Sequence, residues 1–499
     1  MKRPIPELDS SRCALFRITD AAQRKLEKLV FHRHPEREWG TFFRFGYRQT
    51  PWGVAISFVD LIPPQPGDLD RNSSIVSFRP DYIARALDGI ERQPFGVGVV
   101  HSHPRGWGAS PSPSDDDMDA YYLRLFEPYG NGRPYVSLIV NRDEDGRFVF
   151  SGRAFDRGAW MPVAEWFAPG SVLKRYRSLL QRKPLIAVET SLVDSVTARW
   201  ELLIGPEVRD RFAGASVGVV GCSGTGSPAI EALARAQIGE FVLVDEQRLG
   251  LSNIERVHGS RLADTREEPP PFKVEVMARL IREVNPEARI TMFVGNVLDD
   301  SVLDSLLRCD VVLGCADTLH ARARLGDLAS LYLLPSLDVG VLPRGQNGRV
   351  VSQHIDFMRL GPDDPCPYCR GRIHPEVLNA ELMAEHDREK CREAAADAIR
   401  RGEDGSAYWG GDAPQLPTVG YLTTAAGALA AGYALNWLLG TSEMPHARFQ
   451  IDIGAAEFAF ATDNIRRRTH CSCGRQIGYA DQGERSVTMP DHFKRAVRL

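Results

Sequence analysis

The fold is decided by residues 217–227, which read Val217-Gly218-Val219-Val220-Gly221-Cys222-Ser223-Gly224-Thr225-Gly226-Ser227. An apolar strand runs there into a glycine-rich turn, and the pattern predicts a helix over 228–237. A second apolar strand, residues 241–244, ends in Asp245 about twenty residues after the glycines. Glycines let phosphates approach the backbone, and a helix N-terminus adds positive potential. The stretch therefore predicts a βαβ unit that binds a nucleotide, with Asp245 on the ribose.

Four polar residues after this unit argue against an ordinary dehydrogenase. Asn253 and Arg256 lie close behind Asp245, Lys273 opens a predicted helix, and Asp317 follows the apolar strand 311–314. Two cations and a carboxylate that can bind magnesium suit the stabilisation of charge on transferring phosphates. A dehydrogenase leaves these four residues unexplained.

From about residue 196 to 475, these residues resemble the ThiF/MoeB-type adenylating superfamily, the ubiquitin-activating enzymes in the broad sense. The resemblance implies a C-terminal Rossmann-like domain with a parallel or mixed sheet, which activates a carboxylate with ATP and Mg²⁺. Ser223 stands where the family has a second glycine, so we expect some crowding of the phosphate turn. In the family an arginine near the domain start reaches the partner subunit's ATP site, and Arg199 is the candidate here. The residues implied for ATP and Mg²⁺ are Gly221, Gly224, Gly226, Asp245, Asn253, Arg256, Lys273, Asp317, Arg322 and Arg199.

A second motif lies near the start of the chain, in His101-Ser102-His103-Pro104 and Ser112-Pro113-Ser114-Asp115. Two histidines one residue apart direct both imidazoles to one side of a strand. An aspartate from the following turn completes a three-ligand zinc set with an open fourth position, which is typical of catalytic zinc.

This motif resembles the JAB/MPN (JAMM) metalloproteases, which cleave bonds after ubiquitin-like C-termini. The resemblance implies an N-terminal α/β domain with zinc on His101, His103 and Asp115. It also implies that Glu38 shuttles the proton of the zinc-bound water and that Ser112 supports the oxyanion. The gap between His103 and Asp115 is one residue longer than in the family, so a shifted pair, Ser114 with Asp117, stays open. A helix over 19–34, capped by Thr19 or Asp20, precedes Glu38.

The cysteines form two short clusters, Cys366-Pro367-Tyr368-Cys369 and Cys471-Ser472-Cys473. Four thiolates in this arrangement predict a closed structural zinc site, and His470 is an alternative to one sulfur. Many adenylating relatives have two C-x-x-C pairs, whereas the second pair here is C-x-C.

Cys391 is the remaining thiol of interest. The adenylating family keeps its sulfur- or thioester-forming cysteine in this region. The flanking Lys390 and Arg392 favour the thiolate form.

The length of 499 residues predicts more than one domain. We expect a metalloprotease domain over 1–158, a linker over 159–195 and the adenylating domain over 196–499. The net charge of −4 gives no support for nucleic-acid binding. Residues 420–439 are interrupted by polar residues and glycines, so we expect a buried helix and no membrane span. Four of the nine cysteines lie in short metal-like pairs, which suits a reducing cytoplasm better than a disulfide framework, and residues 1–7 show no apolar signal sequence.

The two resemblances predict a bifunctional enzyme. One site trims or removes a ubiquitin-like protein, and the other adenylates its C-terminal glycine and passes it to Cys391 and a conjugating enzyme, within a homodimer. A sulfur-carrier adenylyltransferase in cofactor or cysteine biosynthesis is an alternative. In a third interpretation one domain is inactive and only binds the ubiquitin-like protein.

Overall fold

The computed structural model describes residues 8–70, 76–130, 132–181, 195–405, 418–444, 446–454 and 459–499. The chain divides into two compact units, each considered by itself. The first comprises Met1–Val188, Ser330–Leu333 and Arg475–Glu484, and the second comprises Glu189–Ala329, Leu334–Gly474 and Arg485–Leu499. Residues 1–7, which bear on the expected lack of a signal sequence, lie outside the described residues.

The described residues of the first unit form a large mixed sheet, a separate two-stranded sheet of β4 and β5, and three α-helices. The helices are α1 (Asp20–Val30), α2 (Pro80–Arg92) and α3 (Pro113–Gly130). The strands are β1 (Cys13–Arg17), β2 (Trp39–Thr50), β3 (Gly53–Ile62), β4 (Leu69–Asp70), β5 (Ser77–Phe78), β6 (Gly96–Ser102), β7 (Tyr135–Arg142), β8 (Phe148–Asp156), β9 (Ala159–Pro169) and β10 (Leu173–Arg177).

This sheet closes on itself. The strand order is β1-β3-β2-β6-β7-β8-β9-β10, and β1 pairs with β9 as well as with β3. Successive residues of β2 point to opposite faces, so Phe42 packs with Tyr82 of α2 while Phe43 packs with Leu26 of α1. The two faces therefore carry separate cores, and the C-terminal end of β6 lies beside the entry to α3.

The expected linker over 159–195 is wrong for its first part. Residues 159–177 form β9 and β10, and β9 pairs with β1 and β8 inside the sheet. Trp166 is fully buried in the same core as Phe43, so removing this segment would open the core. Residues 182–194 lie outside the described residues. The expected adenylating domain over 196–499 is also not continuous, because Ser330–Leu333 and Arg475–Glu484 belong to the first unit.

The second unit is a mixed sheet flanked by helices. Its described helices are α4 (Ala198–Ile204), α5 (Val208–Ala213), α6 (Gly226–Arg235), α7 (Lys273–Val284), α8 (Asp300–Leu306), α9 (Leu319–Ser330), α10 (Pro375–Leu382), α11 (Glu385–Arg400), α12 (Gly420–Leu439) and α13 (Ser472–Arg475). Its described strands are β11 (Ser216–Val220), β12 (Glu240–Val244), β13 (Arg289–Val294), β14 (Val311–Gly314), β15 (Ser336–Gln346), β16 (Arg349–Leu360), β17 (Arg448–Asp452), β18 (Ala459–Thr462) and β19 (Val497–Arg498).

The strand order of this sheet is β18-β17-β16-β15-β14-β11-β12-β13-β19. The five strands from β15 to β13 run parallel, and the strands beyond them on both sides pair antiparallel. The chain crosses from β11 to β12 on one side and returns to β14 on the other. Such a reversal opens a crevice at the carboxyl ends of the strands, where α/β sheets bind ligands. The expected Rossmann-like mixed sheet is thus present.

Helix α12 lies in the core of the second unit. It is the one helix in the described part of the chain long and apolar enough to cross a membrane by length and composition, and just over half of that window is buried. An ideal Cβ on Gly427 would lie 2.4 Å from the carbonyl oxygen of Thr225, so α12 packs at backbone contact beside α6. Length and composition alone are weak evidence for a span, and this burial is typical of a core helix.

Candidate functional site

Three buried side chains of the first unit converge at the end of β6. His101 is the last residue but one of β6 and His103 directly follows the strand, with their ring centroids 5.1 Å apart. Asp115, in the first turn of α3, brings Oδ1 to 3.1 Å from His101 Nε2 and Oδ2 to 3.5 Å from His103 Nε2. One ligand atom from each residue lies within 4.8 Å of the other two. The three residues can therefore hold one metal ion.

Ser112 and the start of α3 select Asp115 over Asp117. The backbone amide and hydroxyl of Ser112 both donate to Asp115 Oδ2 at 2.6 Å, which turns the carboxylate toward the histidines. Asp115 is buried, whereas Asp117 is exposed on the opposite side of the helix turn. The shifted pair of Ser114 and Asp117 is wrong, because a helix that starts at Pro113 directs Asp117 to solvent.

Glu38 completes the cluster from the residue before β2. Its Oε2 accepts a hydrogen bond from the amide of Val76 at 2.9 Å, and its Oε1 lies 4.0 Å from His103 Nε2. Burial raises the pKa of Glu38, although His101 and His103 oppose the rise. A carboxylate with a raised pKa, next to a site for a metal-bound water, is suited to exchange protons near neutral pH.

The chemistry of the two histidines fits a metal. Among the described residues, Nδ1 and Nε2 of His101 and Nδ1 of His103 are buried without a hydrogen-bond partner. Burial opposes the charged form of His101, but the carboxylates of Asp115 and Glu38 outweigh it and raise its pKa. Asp115 has its pKa held well below the usual range by His101, His103 and Ser112, against the effect of burial. Buried nitrogen lone pairs beside an ionised carboxylate are the donors that zinc prefers.

Four sulfurs of the second unit form a separate cluster. Cys366 Sγ lies 3.5 Å from Cys471 Sγ, and Cys369 Sγ lies 3.7 Å from Cys473 Sγ. Zinc–sulfur bonds of about 2.3 Å at tetrahedral angles place sulfurs about 3.8 Å apart, so the spacing fits a Cys₄ zinc site. The thiol of Cys366 donates to Cys473 and lowers the pKa of Cys473, against the effect of burial. His470, the alternative ligand, is exposed and outside the cluster.

The glycine turn of the second unit is as tight as its sequence suggests. Gly221 has a φ of +92°, and an ideal Cβ there would lie 2.7 Å from the amide nitrogen of Ala316. A Cβ on Gly226 would lie 1.9 Å from the carbonyl oxygen of Gly221. The backbone of Ser223 does not adopt a positive φ, so serine fits at this position without backbone strain.

Asp245 lies at the carboxyl end of β12, facing this turn. Its carboxylate accepts from the amide of Cys222 at 2.8 Å and from the amide of Gln247 at 2.9 Å. Burial raises the pKa of Asp245, Lys273 opposes the rise and the charge of Asp317 adds to it. The three charged side chains therefore lie within electrostatic reach of one another around the mouth of the turn.

Lys273 and Arg256 supply cations to the same mouth. Lys273 is 3% exposed at the start of α7, and its Nζ donates to the side-chain oxygen of Gln247 at 2.5 Å. An ideal Cβ on Gly224 would lie 3.0 Å from Cδ of Arg256 and 3.1 Å from Oγ1 of Thr423, so both side chains border the turn. The sequence offered no local signal for Thr423, which arrives from α12.

The remaining predicted residues differ in how directly they face this mouth. Asn253 is buried and its side chain accepts from the amide of Gly250 at 2.9 Å. Asp317 is exposed. Arg322 is occupied, because its Nε donates to Asp338 at 2.7 Å. Arg199 is exposed on α4.

Cys391 is half-buried in the middle of α11, with its Sγ 4.0 Å from the sulfur of Met383. The cations expected to favour its thiolate are engaged by acids of the same helix. Lys390 pairs with Asp387 at 3.3 Å, and Arg392 pairs with Glu385 and Glu389 at 3.0 and 3.1 Å. These ion pairs leave little net positive charge next to the sulfur of Cys391.

The second unit therefore combines a Rossmann-type sheet with a tight glycine turn, a buried carboxylate and two cations. Residues 197–474 match the model of the ThiF family, which is more than half of the chain. The chain belongs to the ThiF family. The match begins at residue 197, so the resemblance of the first unit to JAB/MPN proteins stays a prediction.

Three curated relatives illustrate the similarity. The SAMP-activating enzyme E1 of Haloferax volcanii is 28% identical over 35% of this chain and 58% of its own length. Ubiquitin-like modifier-activating enzyme 5 of Drosophila persimilis is 29% identical over 35% of this chain and 45% of its own. The sulfur carrier protein adenylyltransferase of Thermus thermophilus is 26% identical over 54% of this chain and 86% of its own. The chain spans about half the length of the first two.

A solved structure of E. coli MccB with MccA-N7isoASN is similar over 56% of this chain and 75% of that chain, at 19% identity and a TM-score of 0.42.

Proposed function

We propose that this protein is an ATP-dependent adenylyltransferase that activates the C-terminal carboxylate of a small protein. The observation that carries the proposal is the convergence of the glycine turn, Asp245, Lys273 and Asp317 at the carboxyl end of the parallel strands. The relatives' names supply the substrate class, a ubiquitin-like or sulfur-carrier protein. The C-terminal glycine of that carrier is implied by the resemblance to the adenylating superfamily. The Thermus thermophilus relative, matched over most of its length, favours the sulfur-carrier alternative.

The residues divide the chemistry among them. An oxygen of the carrier's carboxylate attacks the α-phosphorus of ATP, the bond to the bridging oxygen breaks, and pyrophosphate leaves with the negative charge. Lys273 and Arg256 stabilise that charge, and Asp245 holds the ribose so that the α-phosphate faces the carboxylate. Magnesium bound to the nucleotide supplies further neutralisation, and Asp317 is the carboxylate that would hold it.

The fate of the acyl group separates two pathways. In conjugation, the thiolate of Cys391 attacks the acyl carbon, AMP leaves, and a conjugating enzyme receives the carrier. In sulfur transfer, a sulfur nucleophile displaces AMP and leaves a thiocarboxylate on the carrier. The neutralised cations around Cys391 give the first route little electrostatic assistance. We place either pathway in the cytoplasm and assign Arg199 to the partner's site within a homodimer.

We further propose that the first unit hydrolyses a peptide or isopeptide bond next to the carrier's C-terminus. The observation behind this second function is the buried cluster of His101, His103 and Asp115, in which Nδ1 of both histidines has no hydrogen-bond partner among the described residues. Zinc held there would supply an activated water at neutral pH. Glu38 would accept the water's proton and pass it to the leaving amine, and Ser112 would support the oxyanion. The alternative is an inactive unit that only binds the carrier.

The adenylation proposal is tested by ATP–pyrophosphate exchange with a carrier that ends in glycine. We expect exchange that depends on the carrier and falls about 100-fold in Asp317→Ala. Asp210→Ala, an exposed aspartate on α5, is the matched control and should keep the rate. Equal exchange in Asp317→Ala and the wild type would remove the assigned role of Asp317, and no exchange with any such carrier would end the proposal.

The hydrolytic proposal is tested first by metal content. We expect about two zinc ions per chain, and about one in either His103→Ala or Cys473→Ser. His386→Ala, an exposed histidine on α11, should keep both. A single zinc in the wild type that His103→Ala leaves in place would favour the binding-module alternative.

A further inference from the structure

The first turn of α9 is capped by a side chain that is distant in sequence. A helix begins with backbone amides that have no partner inside the helix. The amide of Leu319 donates to Glu381 Oε1 at 2.9 Å, and the amide of His320 donates to Glu381 Oε2 at 3.0 Å. Glu381 belongs to α10, so the two helices are joined at this point. Glu381 therefore caps α9 from a different helix.

The carboxylate of Glu381 is itself fixed by His320, which is in turn fixed by Asn296. His320 Nδ1 lies 2.9 Å from Glu381 Oε2, and His320 Nε2 lies 3.0 Å from the side-chain nitrogen of Asn296. Nδ1 therefore carries the proton, and Nε2 accepts from Asn296. Burial opposes the charged form of Glu381, but His320 and the two amides outweigh it and keep the pKa of Glu381 below its usual value. The cap is an ionised carboxylate at neutral pH.

This arrangement leaves the carboxylate of Asp317 available. Asp317 is exposed and has no hydrogen bond or ion pair with residues in the described ranges. Asp317 lies three residues after β14, whose last residue Gly314 pairs with Val220 directly before the glycine turn, and its charge raises the pKa of Asp245. The chain just before it is fixed as well, because an ideal Cβ on Gly221 would lie 2.7 Å from the amide nitrogen of Ala316. The segment that carries Asp317 is therefore fixed on one side by the contact of Ala316 with the glycine turn and on the other side by the hydrogen bonds to Glu381.

We propose that Glu381 is a positioning residue for the adenylation site, because it caps α9 and so keeps Asp317 oriented toward Mg²⁺. Without Glu381, the free amides of α9 become the nearest donors for Asp317, which then folds back as the helix cap. This inference rests on the proposed function of Asp317, since it assigns the support for that residue. Groups that orient metal ligands typically affect metal affinity about tenfold or more.

The test compares Glu381→Gln with the wild type in carrier-dependent pyrophosphate exchange across a magnesium titration. We expect the half-saturating Mg²⁺ concentration to rise about tenfold. The rate should recover at high Mg²⁺, and the KM for ATP at saturating Mg²⁺ should stay unchanged. Asp299→Ala removes the cap of α8 in the same unit and is the matched control, for which no shift is expected.

Amide hydrogen exchange at residues 319 and 320 gives an independent readout. Faster exchange at these amides together with the raised Mg²⁺ requirement supports the proposal. Faster exchange with an unchanged Mg²⁺ requirement overturns it, because the cap is then only structural. If Glu381→Gln does not fold, Glu381→Asp, which shortens the reach but keeps the charge, should show the same shift.

Failure of the proposed function gives a different pattern. If the wild type shows no pyrophosphate exchange, calorimetric binding of ATP at several Mg²⁺ concentrations makes the same comparison between wild type and Glu381→Gln. If Glu381→Gln needs more Mg²⁺ than the wild type to bind ATP, the positioning role of Glu381 stands even though the protein catalyses another reaction. If the Mg²⁺ dependence of ATP binding is the same in both, the positioning role is overturned.

Discussion

Backbone amides orient the carboxylates of both candidate sites. Asp115 accepts from the amide of Ser112, and Asp245 accepts from the amides of Cys222 and Gln247. An amide donor fixes the direction of a carboxylate and leaves its full negative charge in place. These residues therefore remain able to bind a cation or a ribose hydroxyl, which a salt-bridged carboxylate would do less well.

Gly226 is the residue whose replacement should damage the nucleotide site most directly. A Cβ at this position meets the carbonyl oxygen of Gly221 at 1.9 Å, so Gly226→Ala must displace the turn. We expect a loss of about 1–3 kcal/mol in the free energy of unfolding and a loss of ATP binding. Urea unfolding and calorimetry measure the two effects.

Gly432→Ala is the matched control for that substitution. Gly432 lies inside α12, and an added Cβ there meets no atom within 4 Å. Alanine should stabilise the helix by about 0.5–1 kcal/mol and leave ATP binding unchanged. Equal stability of the two alanine variants would contradict the packing described for the turn.

Asp327 should make the stability of the second unit depend on pH. Burial raises the pKa of Asp327 to about 6, against the opposing effect of Arg324. Because the folded pKa lies above the ordinary value of 3.8, folding disfavours the ionised form. This penalty is absent below about pH 4 and complete above about pH 6, so the free energy of unfolding falls as the pH rises between them.

The Asp327→Asn variant removes this dependence and keeps an acceptor for the amide of Ser486, which donates at 3.0 Å. Relative to the wild type, we expect it to gain up to about 3 kcal/mol between pH 4 and pH 7. Asp299→Asn should show the opposite sign, because Ser301 lowers the pKa of Asp299 despite burial. A constant difference for Asp327→Asn across this range would contradict the assignment.

At the scale of elements, the sequence predicted the helices and strands whose signals lie within a few residues of one another. Thr19 caps α1 through a hydrogen bond from the amide of Ala22, as its position before the helix suggests. The alternation of histidines on β6 and the acids after Pro113 located the metal cluster. These features depend on residues a few positions apart, and such spacing is visible in a sequence.

Strand β9 was missed because its signal is not local. Most of its residues are buried on both faces, so the alternation that marks a half-buried strand is absent. It pairs with β1, β8 and β10, and β1 comes from the start of the chain. Glu381 was missed for the same reason, since it acts on residues about sixty positions earlier.

Helix α11 provides a test of how the activated carrier is passed on. If Cys391 accepts the acyl group, Cys391→Ala should keep pyrophosphate exchange and lose the thiol-sensitive carrier adduct. Cys13→Ala, another half-buried cysteine, is the control and should keep both. A thiocarboxylate on the carrier that survives in Cys391→Ala would instead support sulfur transfer. Nonreducing gels and intact mass distinguish these results.

At the scale of the whole molecule, two units of different architecture lie on one chain. The ThiF match covers residues 197–474, and the cluster of His101, His103 and Asp115 lies in the other unit. The sequence predicted which residues come together in both candidate metal sites, because ligand spacing is local, and zinc at these sites stays a prediction. It did not predict that Arg475–Glu484 joins the first unit, since no local pattern tells a segment which core it enters.

We propose above all that the two units perform separate reactions on the C-terminal segment of the same carrier. Intact-mass analysis of a carrier precursor with residues beyond its terminal glycine, incubated with ATP and Mg²⁺, tests it directly. The wild type should yield the trimmed and adenylated carrier, and Asp317→Ala the trimmed carrier alone. His103→Ala should leave the precursor intact yet adenylate a carrier supplied already trimmed. If either folded variant loses both reactions, the claim of two independent sites is contradicted.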